Sequence, residues 1–131
     1  MTEKIQEVES VCRIGHIGGD DFVLICEEIF EADFFEGICS EFDSRKRKLF
    51  HEEDVSRGTY ITANRKGVLE EVPLVTLSIG VITSENFKRP PHPGKIGQSV
   101  ARLKGKIKER NYSQRTSGYL FERRVYSETS T

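Results

Sequence analysis

Two apolar runs flank a polar tetrad near the start of the chain. Val11, Ile14 and Ile17 lead in, Gly18-Gly19-Asp20-Asp21 follows, and Phe22-Val23-Leu24-Ile25-Cys26 leads out in the manner of a buried strand. Gly takes positive φ freely and Asp tolerates it, so the tetrad predicts a β-hairpin with two adjacent carboxylates at its tip. Glu27 to Phe50 reads as a helix, because Phe30, Phe34, Ile38, Phe42 and Leu49 recur at or near spacings of three and four. Phe35 and Cys39 widen that stripe, which is read as core. Gly58 to Ala63 reads as a short strand, Asn64-Arg65-Lys66-Gly67 as a turn, and Val68 to Val72 as the return, with Pro73 at a strand start or edge. Leu74 to Ile82 is apolar and rich in β-branched residues, which predicts a central strand covered on both faces. Ser84 to Lys95 holds three prolines and reads as an exposed loop. Ile96, Val100, Leu103 and Ile107 then recur at four, three and four, as an amphipathic helix requires. Gly118 to Phe121 reads as a last edge strand.

This order predicts an α/β (α+β) fold with a mainly antiparallel sheet and helices on its faces. Residues 1–10 read as a tail or the remnant of an upstream helix, 11–126 as the domain, and 127–131 as a tail.

Composition narrows the classes. The chain has 131 residues, enough for one domain, with 36% hydrophobic and 31% charged residues. The formal net charge of -1 gives no global field for nucleic acid or an anionic membrane. No apolar run approaches the length that spans a bilayer, and the N-terminus lacks a secretory apolar segment. The expected location is cytoplasmic, with no membrane contact and no nucleic-acid partner. Cys12, Cys26 and Cys39 lack metal-ligand spacing and are odd in number, so free, mostly buried thiols are expected. His16, His51 and His92 are scattered and read as surface or partly packed residues. Ser44 to Lys48 is a basic run that complements a helix C-terminus, and a solvated helix end is expected there. Thr76 and Ser78 read as satisfied by local packing.

An isolated Gly-Gly-Asp-Asp is most often a polar turn. Here its glycines let a ligand approach the backbone, and its paired carboxylates beside exposed N–H groups suit a hard cation with a phosphate. At these residues the chain resembles a known family. Ile17-Gly18-Gly19-Asp20-Asp21-Phe22 is similar to the signature loop of GGDEF domains, the diguanylate cyclases, with Asp21 where the family has Glu. Val75-Thr76-Leu77-Ser78-Ile79-Gly80-Val81 resembles the family's T-x-S-x-G strand. Lys106 to Asn111 resembles its basic helix end, Arg110-Asn111 matching the closing R-N and Glu109 replacing a Gly. The resemblance covers roughly Val11 to Asn111.

The resemblance implies a nucleotide-cyclase-like fold and the joining of two GTP molecules into cyclic di-GMP, with release of pyrophosphate. Gly18 and Gly19 would form the substrate loop. Asp20 and Asp21 would be metal ligands for Mg²⁺ or Mn²⁺, with Asp21 also catalytic. Lys106, Lys108 and Arg110 would hold triphosphate oxygens, the spacing leaving open which lysine does so. Implied partners are GTP, a second GGDEF domain in a transient homodimer, and sensor or receiver domains of a parent protein. The family's inhibitory Arg-x-x-Asp falls on Glu9 and Cys12, so no inhibitory site is expected. The family domain begins further upstream, with a strand, two helices and another metal-binding aspartate. The chain is therefore expected to be the C-terminal part of such a domain, weak or inactive by itself. Two other readings stand beside this one: a degenerate module that binds GTP or a partner domain for regulation, and an unrelated small α/β interaction domain.

Overall fold

The longest element of the computed structural model is a helix, Pro93–Gln114. The structure describes residues 12–127; the readings made for residues 1–11 and 128–131 lie outside them. The chain runs β1 (Cys12–Gly18), β2 (Asp21–Cys26), α1 (Ala32–Lys46), α2 (Glu52–Arg57), β3 (Thr59–Ala63), β4 (Leu69–Pro73), β5 (Ser78–Val81), α3 (Pro93–Gln114) and β6 (Gly118–Phe121). Single 3-10 turns lie at Arg47–Leu49 and Ser84–Asn86. The fold is mixed α+β.

The strands form three separate two-stranded ladders. β1–β2 and β3–β4 are antiparallel hairpins, and β5–β6 is parallel. Parallel neighbours need a crossover, and α3 supplies it. The strand expected from Leu74 to Ile82 is shorter than its apolar run and pairs on one side only. Val75 is half exposed, so the both-faces-covered expectation fails there.

α3 starts where His92 caps it, its Nδ1 accepting from the Gly94 amide at 3.0 Å, with Pro93 at the first turn. It ends at Arg115, which takes the left-handed conformation at φ 59. Its buried seam is Ser99, Leu103, Ile107 and Asn111, spaced four apart, and Ile96 is exposed. Two polar residues sit in this seam because each is hydrogen-bonded. Ser99 Oγ lies 3.2 Å from the Tyr126 hydroxyl. Asn111 Nδ2 donates to Leu77 O and to Ser78 Oγ, both at 3.0 Å. Leu103 and Ile107 are 2% and 1% exposed, and burial of such side chains stabilises by about 1.5–3 kcal/mol each. A Cβ on Gly118, at the start of β6, would lie 2.7 Å from Asn111 Oδ1, so a larger residue there must displace that buried side chain.

α1 packs from the other side of β6. Phe35 meets Phe121 edge-on at 5.4 Å and Tyr119 at 6.2 Å. The buried residues are Phe35, Ile38, Cys39 and Lys46, so the core stripe is rotated from the expected Phe30–Phe34–Ile38–Phe42 line. Phe30 and Phe34 instead stack on each other at 4.4 Å, and Leu49 is exposed in the 3-10 turn. Lys46 corrects the reading of its basic run as a solvated helix end. It is 7% exposed, donates to Val75 O at 2.8 Å and pairs with Asp43 at 3.0 Å.

Asp43 ties these pieces together. Its carboxylate accepts from the Ser117 amide at 2.9 Å and the Ser117 hydroxyl at 2.5 Å, while Ser117 Oγ accepts from the Leu77 amide at 2.8 Å. Burial raises the Asp43 carboxyl, but the Ser117 bonds and Lys46 outweigh it and hold the group below the usual aspartate range. A second knot fixes the segment after β6: buried Glu122 is engaged by Arg102, and Asn86 donates to the Glu122 and Arg124 carbonyls at 2.8 and 2.9 Å. Among the described residues, no buried side-chain polar atom lacks a partner, and no helix is long and apolar enough to cross a membrane.

We expect Asp43→Ala to destabilise the fold by about 1–3 kcal/mol, because it leaves the Ser117 amide and hydroxyl without their acceptor and Lys46 without its counter-charge. The Asp43 contribution is fully present above the unfolded pKa of about 4 and is lost as pH falls through the lower folded value. Urea unfolding at pH 7 and at pH 3 checks both points: the variant's deficit should shrink at the lower pH.

Candidate functional site

The predicted hairpin forms, with Cys12 opposite Cys26, His16 opposite Phe22 and Gly18 opposite Asp21. Gly19 and Asp20 make the turn, and Gly19 has φ 56, the positive value a two-residue hairpin needs at its first central position. His16 Nε2 donates to Gly19 O at 2.8 Å, and the His16 ring stacks on Phe22 at 4.7 Å. These contacts brace the tip on one side.

β2 is not the buried strand expected from its composition, and β1 is open with it. Ile17 is 73% exposed, Phe22 63% and Ile25 66%. Side chains on both faces of the hairpin are open, and among the described residues no third strand pairs with it and no helix makes more than a marginal contact with it. The free-thiol reading is also corrected at two of three cysteines. Cys12 and Cys26 form a disulfide across the open end of the hairpin, and Cys39 is free and buried. A bulge between His16 and Gly18 shifts the register by one. Without it Cys12 would face Glu27, so counting outward from the turn misses the pair by one residue. Burial first, and the Asp43 charge second, push the Cys39 thiol up to about 11, which leaves it a poor nucleophile.

At the tip, Asp21 accepts a hydrogen bond from Lys104 Nζ at 2.5 Å. The hydrogen bond and charge of Lys104 come first in holding the Asp21 carboxyl below its usual range, and Lys108 adds to the effect. Asp20 stands beside Asp21, exposed. Lys104 lies outside the positions nominated by the resemblance, yet it is the lysine that reaches the hairpin. Lys104 stands one helical turn before Lys108 and so shares its face of α3.

The nominated basic residues separate. Lys108 is on the Lys104 side and lines, with Thr76, Ser78 and Tyr112, a cleft of about 280 Å³. Positions from the second and third matched motifs therefore share one wall, and Ser78 is held there by Asn111 as local packing requires. Lys106 is exposed, and helical geometry turns it away from the Lys104–Lys108 line. Arg110 donates to Tyr119 O at 2.8 Å and lines a different cavity of about 490 Å³ with Glu36, Cys39 and Arg123. Glu9 lies outside the described residues, and Cys12 is engaged in its disulfide.

Among the described residues no group of three or more His, Cys, Asp or Glu side chains is placed to hold a metal ion. Mg²⁺ completes its shell with water and substrate phosphates when only one or two carboxylates hold it, so Asp20 and Asp21 by themselves make an incomplete cation site. No family model matches the chain, and neither a curated protein nor a solved structure matches it.

Lys104→Ala should raise the Asp21 carboxyl toward the ordinary aspartate value of about 4. A carboxyl-detected NMR titration of Asp21 in both proteins checks this, and an unchanged midpoint would contradict the ion pair.

Proposed function

We propose that the chain is a GGDEF-type signalling module of nucleotide-cyclase-like fold, which binds GTP with Mg²⁺ or Mn²⁺ at the hairpin tip. The observation that carries the proposal is the meeting of Asp21 with Lys104 at 2.5 Å, beside exposed Asp20 and near Lys108. A triphosphate with its cation needs carboxylates and ammonium groups within one small volume. The tip and the Lys104–Lys108 face of α3 supply both.

In this reading Asp20 and Asp21 hold the cation, and Gly18 and Gly19 leave the backbone open to phosphate and base. Lys108, with Lys104 released from Asp21 by the incoming cation, neutralises phosphate oxygens. Lys106 and Arg110 are less well placed for that task than the resemblance implies. The cation would supply charge neutralisation and an easier loss of the proton from the attacking hydroxyl. The reaction joins two GTP molecules: the 3'-hydroxyl of each attacks the α-phosphate of the other, and two pyrophosphates leave. It requires a second module facing the first, in a cytoplasmic protein with sensor or receiver domains. Asp21 is one methylene shorter than the family's Glu, and a misplacement of about 1 Å can cost on the order of 100-fold in rate. With two carboxylates at the tip, the chain by itself should bind nucleotide better than it turns it over. A second reading, a regulatory module that docks a partner domain, is favoured by the exposed Ile17, Phe22 and Ile25.

Calorimetric titration with GTP and Mg²⁺ tests binding, and chromatography of nucleotides after long incubation tests turnover. We expect metal-dependent binding that Asp20→Ala and Lys108→Ala each weaken by about 10- to 100-fold, the loss of one charged interaction. We expect little or no cyclic di-GMP. Binding that ignores both substitutions would contradict the site, and rapid cyclic di-GMP formation would contradict the expected weakness.

A further inference from the structure

We propose that the Cys12–Cys26 pair is a reversible thiol–disulfide site, whose reduction frees the hairpin and lets the Asp20–Asp21 tip leave Lys104. The disulfide closes the open end of β1–β2, with Cα atoms 4.1 Å apart and a sequence separation of 14. The tip contact closes the other end: among the described residues, Lys104–Asp21 is the one hydrogen bond from the hairpin to another element. Between them the ladder is exposed on both faces, with Ile14, Ile17, Phe22 and Ile25 open to water. A two-stranded hairpin without a packed face is marginal in water, so a covalent closure is a large part of what orders it. A partly exposed Lys–Asp pair is too weak to hold the ladder alone.

Access is one-sided. Cys12 is buried and Cys26 is partly exposed, so an attacking thiolate reaches Cys26 Sγ. With a dithiol as reductant, its thiolate bonds to Cys26 Sγ, the S–S bond breaks, and Cys12 leaves as a thiolate that takes a proton. The second thiol of the reductant then attacks the mixed disulfide and releases Cys26. The protein gains two electrons and two protons, and the dithiol becomes a disulfide. In a compartment with reducing thiol pools such a pair is switched rather than permanent. Cys39 is buried on α1, away from the exchange. The consequence for nucleotide rests on the function proposed above, but the loosening of the hairpin does not.

Hydrogen–deuterium exchange with mass spectrometry tests the proposal on the whole chain. It compares oxidised protein, protein reduced by dithiothreitol, and Cys12→Ser/Cys26→Ser protein. Amides of residues 13–25 should exchange on the order of 10- to 100-fold faster in the last two, as the loss of a loop closure of this length implies. Peptides of α3 should keep their protection, and glutathione disulfide should restore that of the hairpin in the reduced wild type. Equal hairpin protection in both redox states overturns the proposal. So does loss of protection throughout the chain, which would make the bond a general staple, and so does a non-reducing peptide map that pairs Cys39. Nucleotide is absent from the experiment, so failure of the GTP reading leaves its outcome unchanged.

Discussion

The contact on which the rest of the structure depends is the bond between Asp43 and Ser117. It joins α1 to the chain just before β6, and Ser117 passes the constraint to the Leu77 amide just before β5. Asn111 reaches the same place from α3 through Leu77 O and Ser78 Oγ. Three stretches far apart in sequence, around Asp43, around Leu77 and from Asn111 to Ser117, therefore meet at one polar knot. Hydrophobic burial supplies most of the drive there, but it is non-directional. The knot selects one register for β5 against β6, because buried donors and acceptors left unpaired would cost about 1–3 kcal/mol each.

Once that register is set, α3 can point in only one way. Its Ser99–Leu103–Ile107–Asn111 seam lies on the β5–β6 pair, and Lys104 and Lys108 follow on the adjacent face. The hairpin is a different kind of object. It has a ladder, a disulfide and an ion pair but little packing, and its apolar side chains lie open. Order in the core thus reaches the tip through the rigid helix, while order in the hairpin depends on its own closures.

The sequence was most legible where a local rule decides the outcome. Gly18-Gly19-Asp20-Asp21 between two apolar runs announced β1–β2, Asn64 and Gly67 announced the β3–β4 turn, and the Val100–Leu103–Ile107 spacing announced the body of α3, although its first turn, residues 93–95, reads as loop. It was least legible where a distant partner decides. The helical stripe of α1 holds more aromatic residues than one face can bury, and only the position of Phe121 and Tyr119 selects Phe35 over Phe34. Lys46 reads as solvated until the Val75 carbonyl and Asp43 are seen beside it. The disulfide was hidden by a one-residue bulge, and Leu74 to Ile82 was overread as a covered central strand, because apolar content alone sets neither a strand's extent nor its neighbours. At the site, the carboxylates at the tip were legible as a motif. Their partner Lys104 was not, because pairing across 83 positions leaves no local trace.

The proposed function requires one spatial relation: Asp20 and Asp21 stand in one site with Lys104 and Lys108, where a cation with GTP would bind. Paramagnetic broadening by Mn²⁺ in amide NMR spectra of the oxidised protein reads this relation directly. With Mn²⁺ and GTP together, the amides of Gly19 to Phe22 and those around Lys104 and Lys108 should broaden as one group, and Asp20→Ala should abolish the effect. Broadening centred on residues 114–121, or none at the tip with GTP present, would contradict it.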